Sequence, residues 1–302
     1  MCLFAISVNV PIATPPASIP SIRGVYIKGF FPQRHWLTES LVTFSLLPVL
    51  IGAAPCASAN PVPVRQTGGT IHGFAEVRSD DGRVVASGDI TRVVRGDRVT
   101  AHTVFTFKDG SIDDETTVFS QRHTIQLISD HRIQKGPYFP HPLDTLIDAR
   151  TGRVTVRTTD KNGKEDIKTD QMKLSPDLAN GLVPVILENV RSGVAELTVP
   201  MVVFSPKPRL VKLIISRVGE DKASVVGDPH EANHYNIKID IGGIAGIVAP
   251  LIGKAPPDIQ LWTIGEAAVT FARETGPLYS EGPMVTIQLA SPSWPEESKS
   301  AP

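Results

Sequence analysis

The segment Arg98–Phe107, RVTAHTVFTF, decides the fold. Val99, Ala101, Thr103, Phe105 and Phe107 fall on one side of an extended chain, and His102, Val104 and Thr106 on the other. A period of two predicts a strand with one buried face. Lys108-Asp109-Gly110-Ser111 follows and predicts a hairpin, because Asp-Gly supplies the positive φ angles of a tight turn. Asp80-Asp81-Gly82, Arg95-Gly96-Asp97, Thr151-Gly152 and Asn162-Gly163 punctuate the neighbouring runs in the same way, so residues 69–173 read as an antiparallel meander.

Ser175-Pro176-Asp177 then offers an N-cap, a proline at the first helical position and an early acid. Leu178, Leu182, Val185, Ile186 and Asn189 recur at helical spacing, which predicts a helix over 178–190 that Pro184 bends. Strands resume at 195–204 and 210–218, on either side of Pro206 and Pro208. In 232–241, ANHYNIKIDI, Tyr235, Ile237, Ile239 and Ile241 form a core face, and Asn236, Lys238 and Asp240 a wet one. An apolar, glycine-rich segment at 242–257 separates this strand from 259–264 (IQLWTI) and 285–289 (VTIQL). The expected architecture is mainly β (α+β): a single strongly curved antiparallel sheet, or half-barrel, with one or two helices on its concave side. It occupies residues 60–292 as one domain, and residues 293–302, rich in Ser, Glu, Lys and Pro, form a frayed tail.

Composition narrows the function. Of 302 residues, 41% are hydrophobic and 20% charged, with 30 Lys and Arg against 31 Asp and Glu. That balance excludes a disordered chain, a basic nucleic-acid coat and a multi-span membrane protein. Four Tyr and 11 Phe supply few stacking platforms for single-stranded nucleic acid.

The first 59 residues predict an address. The apolar stretch 41–54, LVTFSLLPVLIGAA, is interrupted by Pro48 and falls short of the roughly 20 residues of a permanent span. Lys28 and Arg34 precede it and Ala57-Ser58-Ala59 follows, the order of a secretory signal peptide. Cleavage is expected after Ala59, with secretion or a periplasmic destination, and with a start codon placed too far upstream accounting for residues 1–24. Pro55 before Cys56 argues against lipidation. Cys2 and Cys56 both leave with the segment, so the mature chain has no disulfide and no thiol nucleophile. Losing Arg23, Lys28, Arg34 and Glu39 leaves 27 basic and 30 acidic side chains, a net charge of −3. Such a surface gives anionic polymers and lipid headgroups little purchase.

Three motifs invite chemistry. His230-Glu231-Ala232-Asn233-His234 matches H-E-x-x-H, in which two histidines one helical turn apart bind zinc and the glutamate activates water. Here the motif runs directly into an alternating segment, and a strand would destroy the shared helical face. A turn into a strand is the favoured assignment, and a zinc hydrolase using His230 and His234 the alternative. Asp109–Glu115, DGSIDDE, is acidic, yet its glycine stands at position two where a calcium loop needs it at six, so it reads as a hairpin tip. Gly242-Gly243-Ile244-Ala245-Gly246 lacks both the spacing and the βαβ setting of a dinucleotide loop. Gly242, Gly243, Gly246 and Gly253 instead suggest the hinges of an apolar flap, against the plainer alternative of a buried crossover.

Tyr235-Asn236-Ile237-Lys238, Gly242-Gly243-Ile244-Ala245-Gly246, Ile259-Gln260-Leu261-Trp262, Gly276-Pro277-Leu278-Tyr279 and Ile287-Gln288-Leu289 together resemble the C-terminal part of a family of secreted bacterial proteins of unknown function. The resemblance implies a curved antiparallel half-barrel similar to periplasmic lipoprotein carriers, and it brings no catalytic residue. The long 242–257 crossover and the H-E-x-x-H run depart from true carriers. A bowed sheet with an apolar face needs a cover, and a lipid or other hydrophobic molecule is the expected partner. Phe105, Phe107, Phe119, Leu127, Ile237, Ile239 and Trp262 are the expected lining. Two other outcomes stay open. The helix at 178–190 can fill the hollow instead, leaving a structural component of the cell envelope; or the zinc site is real. No cofactor, nucleic acid or permanent membrane span is expected.

Overall fold

In the computed structural model, Arg98–Phe107 is a strand, with Val99, Thr103, Phe105 and Phe107 buried as the alternation requires. The structure describes residues 61–159, 163–191, 193–204, 207–242, 256–266 and 268–291. The expected signal peptide, Gly243, Gly246 and Gly253 of the flap, and the C-terminal tail lie outside the described residues.

Among the described residues, fourteen strands form one sheet. In chain order they are β1 (Ile71–Ser79), β2 (Val84–Arg95), β3 (Arg98–Phe107), β4 (Ile112–Gln121), β5 (Ile125–Lys135), β6 (Leu143–Asp148), β7 (Arg153–Thr159) and β8 (Glu165–Gln171), then β9 (Glu196–Val203), β10 (Arg209–Val225), β11 (Asp228–Asp240), β12 (Ile259–Ile264), β13 (Thr270–Pro277) and β14 (Met284–Ala290). The spatial order is β8-β7-β6-β5-β4-β3-β2-β1-β14-β13-β12-β11-β10-β9, every described pair antiparallel. The chain therefore starts in mid-sheet and winds out to β8. It then crosses to the opposite edge at β9 and winds back until β14 closes on β1, Val77 opposite Ile287. The sheet is open, because β8 and β9 are its two edges.

Between those edges the chain makes its one helix among the described residues, α1 (Val183–Asn189). The helix expected over 178–190 is thus shorter than its apolar spacing suggests. Gly181 has φ +64°, a left-handed conformation that ends regular structure, and Pro184 lacks the N–H that a longer helix would require. Pro184 therefore sits in the first turn of the helix, second after Val183, where no intrahelical donor is needed. The preceding residues bond to β9: Ala179 N donates to Pro200 O at 2.8 Å, and the Asn180 side chain bonds Val202 N and O at 2.9 and 3.0 Å. Residues 177–189 are buried without exception. Leu178, Leu182, Val183, Val185, Ile186 and Leu187 share one contiguous core with Phe105, Phe119, Leu127, Ile237 and Ile287.

Contacts also reach across that core. Gln134 on β5 donates to Leu278 O, just past β13, at 2.9 Å. Six steps in the sheet order separate these strands, roughly 29 Å in a flat sheet at 4.8 Å per strand. Cα atoms of β10 likewise approach those of β14 within 8 Å, although β11, β12 and β13 stand between them in the order.

Candidate functional site

Of the seven side chains expected to line a hollow, Phe105, Phe107, Phe119, Leu127, Ile237 and Ile239 lie in the common core, none more than 5% exposed. They are covered by protein. Trp262 is parted from them. Ile259 and Leu261 take the core face of β12, so the next residue points to the other side, where Trp262 packs with Ala223, Ala232 and Ala272.

That outer face holds the two histidines of the H-E-x-x-H run, and alternation turns Glu231 to the opposite face. All of Asp228–Asp240 is strand, and residues four apart on a strand are separated by roughly 13 Å, against about one helical turn in a zinc helix. His230 is exposed opposite Ala223. His234 stacks on Trp262, rings 4.4 Å apart and 6° from parallel, with its Nε2 2.7 Å from Gln260 Oε1. The Arg273 guanidinium lies 3.8 Å from the Trp262 ring, and Trp262 Nε1 donates to Asp221 Oδ2 at 3.0 Å. The bond from Lys222 N, and then that from Trp262, hold the Asp221 carboxyl below its usual range. His234 serves a stack and His230 is exposed, and among the described residues no group of three or more His, Cys, Asp and Glu is placed to hold a metal.

The acidic run after Gly110 divides between turn and core. Asp109 Oδ1 accepts from Ser111 N at 2.9 Å, and Gly110 takes φ +85°, as a hairpin tip requires. Alternation then carries Asp113, Glu115 and Thr117 of β4 to the core face beside Phe119. Their cross-strand partners on β5 are Gln134, Arg132 and Asp130. Arg132 clamps Asp113 through Nε and Nη2 at 2.8 and 2.6 Å, both side chains at most 1% exposed. Gln134 Nε2 adds a bond to Asp113 Oδ2 at 3.1 Å. Thr117 donates to Asp130 Oδ1 at 2.9 Å. From across the core β13 contributes Glu274, whose carboxyl oxygens find no hydrogen-bond partner among the described residues.

Burial, and then the neighbouring charge of Glu115, push Asp130 up to about 8. Burial pushes Glu274 up to about 8 as well, with Arg132 opposing. Both therefore hold protons at neutral pH. Perturbed acids of this kind accompany active sites, but general acid catalysis needs a reacting group within reach, and Gly181 sits directly over Thr117 and Asp130. In this arrangement the cluster is a proton-holding polar core beneath the 177–189 segment.

At the surface, an open groove of about 830 Å³ lies between residues 140–142 of the β5–β6 connection, Thr158 and Thr159 of β7 and residues 164–166. None of the seven apolar candidates lines it. Gly242, the described member of the flap, is exposed at φ +62°, its N–H donating to Asp240 Oδ1 at 2.9 Å. No described helix is long and apolar enough to cross a membrane.

No protein-family model matches the chain, and no curated protein matches it in sequence. Among solved structures it is similar to a β-barrel-like protein of a domain of unknown function, DUF1849, from Brucella abortus, with TM-score 0.42 and 8% identity over 74% of this chain and 96% of that one. It is also similar to the hypothetical lipoprotein YmcC from Escherichia coli K12, with TM-score 0.29 and 8% identity over 74% of this chain and 86% of that one. A third likeness, to MucB in complex with MucA(peri), has TM-score 0.16 and 11% identity over 74% and 88% of the two chains.

Proposed function

We propose that the chain is an exported protein of the cell envelope whose sheet curves around its own residues 177–189, and that it serves there as a non-catalytic structural component, not as a lipid carrier. The observation that carries this is the unbroken burial of 177–189 among the side chains that would otherwise receive a ligand. Curvature is supported by the Gln134–Leu278 bond and by the approach of β10 to β14. Export rests on the charge, apolar run and Ala57-Ser58-Ala59 exit of the first 59 residues.

Magnitudes favour the internal segment over a lipid. Its six buried aliphatic side chains contribute roughly 9–18 kcal/mol gross at 1.5–3 each. A sixteen-carbon acyl chain gains roughly 12 kcal/mol at about 0.8 per CH₂. The two are comparable, but the segment is tethered and loses no translational freedom on docking. Organic extraction and mass spectrometry of the purified protein tests this, with lipid expected far below one molecule per chain. Stoichiometric lipid from successive expression hosts would restore the carrier. N-terminal sequencing of envelope fractions is expected to begin at Asn60, and an unprocessed cytoplasmic chain would refute export.

A further inference from the structure

We propose that two copies of this chain pair edge to edge through antiparallel β8 strands, with the twofold axis at Ile167. β8 bonds to β7 on one side and to nothing described on the other, and all of its residues from Glu165 to Gln171 are exposed, Ile167 to 54%. A free edge is a template for another strand. Charges usually blunt such an edge, so their arrangement decides what it accepts.

In an antiparallel pair, opposed side chains leave the sheet on the same side, so a twofold axis normal to the sheet must set one residue against itself. The charges of Lys164, Asp166, Lys168 and Asp170 discriminate among the possible axes. An axis at Asp166 sets Lys164 against Lys168, and one at Lys168 sets Asp166 against Asp170. At Ile167, Asp166 meets Lys168 and Lys164 meets Asp170, each pair occurring twice, while the two Ile167 side chains cover each other. Axes nearer either end leave part of the strand unpaired. On the face of Asp166 and Lys168 the charges are antisymmetric about Ile167, and on the other face Glu165 meets the neutral Thr169, so no like charges oppose each other, which is the pattern an isologous contact needs.

For the central pairs, forming the contact costs little within the chain. The Lys168–Asp166 ion pair at 3.0 Å is solvated, the side chains 67% and 59% exposed, and it exchanges for equivalent pairs across the axis. One strand edge covers less than the roughly 1,000 Å² of a stable interface, so association is weak and reversible.

Sedimentation equilibrium of the purified chain over a concentration series tests the proposal. The mass is expected to double with concentration, and the dimer to weaken as salt screens the pairs. Lys168→Asp opposes two aspartates twice and should weaken association by at least about tenfold. Adding Asp166→Lys to it recreates the complementary pattern with the signs exchanged and should restore the dimer. Because β8 is exposed, circular-dichroism melting is expected to be unchanged in both variants, which separates loss of pairing from loss of fold. A monomer at every concentration, or a dimer that Lys168→Asp leaves intact, overturns the proposal; the second outcome places the contact on another face. Neither result bears on whether residues 177–189 fill the core.

Discussion

A methyl group on Gly181 would stand well inside contact distance of Thr117 Oγ1 and 3.0 Å from Asp130 Oδ1, on a backbone already at φ +64°. Gly181→Ala should therefore destabilise the fold by about 2 kcal/mol or more, read as a shift in the urea midpoint at constant slope. Arg132 presents the opposite case, a large side chain that cannot leave. Arg132→Met strips the buried Asp113 of its bidentate partner, and a loss of roughly 3–5 kcal/mol is expected in the same measurement. Asp130 and Glu274 give the protein a pH dependence of definite sign. Unfolded, each releases its proton near the ordinary carboxylate range; folded, each keeps it to about 8. The folded state thus binds more protons between those limits, so the stability these two acids contribute is full below about pH 4 and is lost as pH rises to about 8. Melting temperatures from pH 5 to pH 8 should fall, and Glu274→Gln should flatten the decline. A wild-type profile that rises over this range would show that neither acid is protonated in the fold.

At the scale of elements, strands with strict alternation were readable and those with a break were not. Arg98–Phe107 and Ile259–Ile264 announce themselves, and the Asp-Gly and Asn-Gly turns mark the meander. β13 hides, because a register shift between Trp262 and Thr263 on its partner lets Ala272 and Arg273 share the outer face before Glu274 returns inward. The same difficulty conceals the polar core: Asp113 and Glu115 have the phase of buried residues and the chemistry of exposed ones, and only Arg132, a strand away, reconciles them. Trp262 does not share the expected lining face, because the adjacent Leu261 already claims it. Apolar spacing overextends the helix because it cannot register the left-handed Gly181. The β10–β11 hairpin shows a turn whose sequence is poor for its shape. Val226 adopts φ +57° and Gly227 φ +93°, positions that favour Asn-Gly. Relieving a β-branched residue there, Val226→Asn should stabilise by about 1 kcal/mol in thermal unfolding.

The whole molecule is governed by where the chain enters its sheet. Residues 61–69 run beneath one end before β1 begins. Val64 N bonds His123 O at 2.9 Å, Arg65 N and Gln66 N bond Asn189 Oδ1 at 2.7 and 2.9 Å, and Gln66 joins Val269 at 3.0 and 3.3 Å. This strap ties the β4–β5 turn, the end of α1 and the β12–β13 turn together. Past it, β1 and β14 lie side by side with Phe74 opposite Ala290, so the start of the first strand adjoins the finish of the last. Tension applied between those two points would load the ladder like a zipper, parting hydrogen bonds one after another instead of shearing them in parallel. In a force spectrometer, handles placed just before Ile71 and just after Ala290 should open the molecule at low force. A sheet joined in this way yields readily when drawn apart at Ile71 and Ala290, one ladder bond at a time.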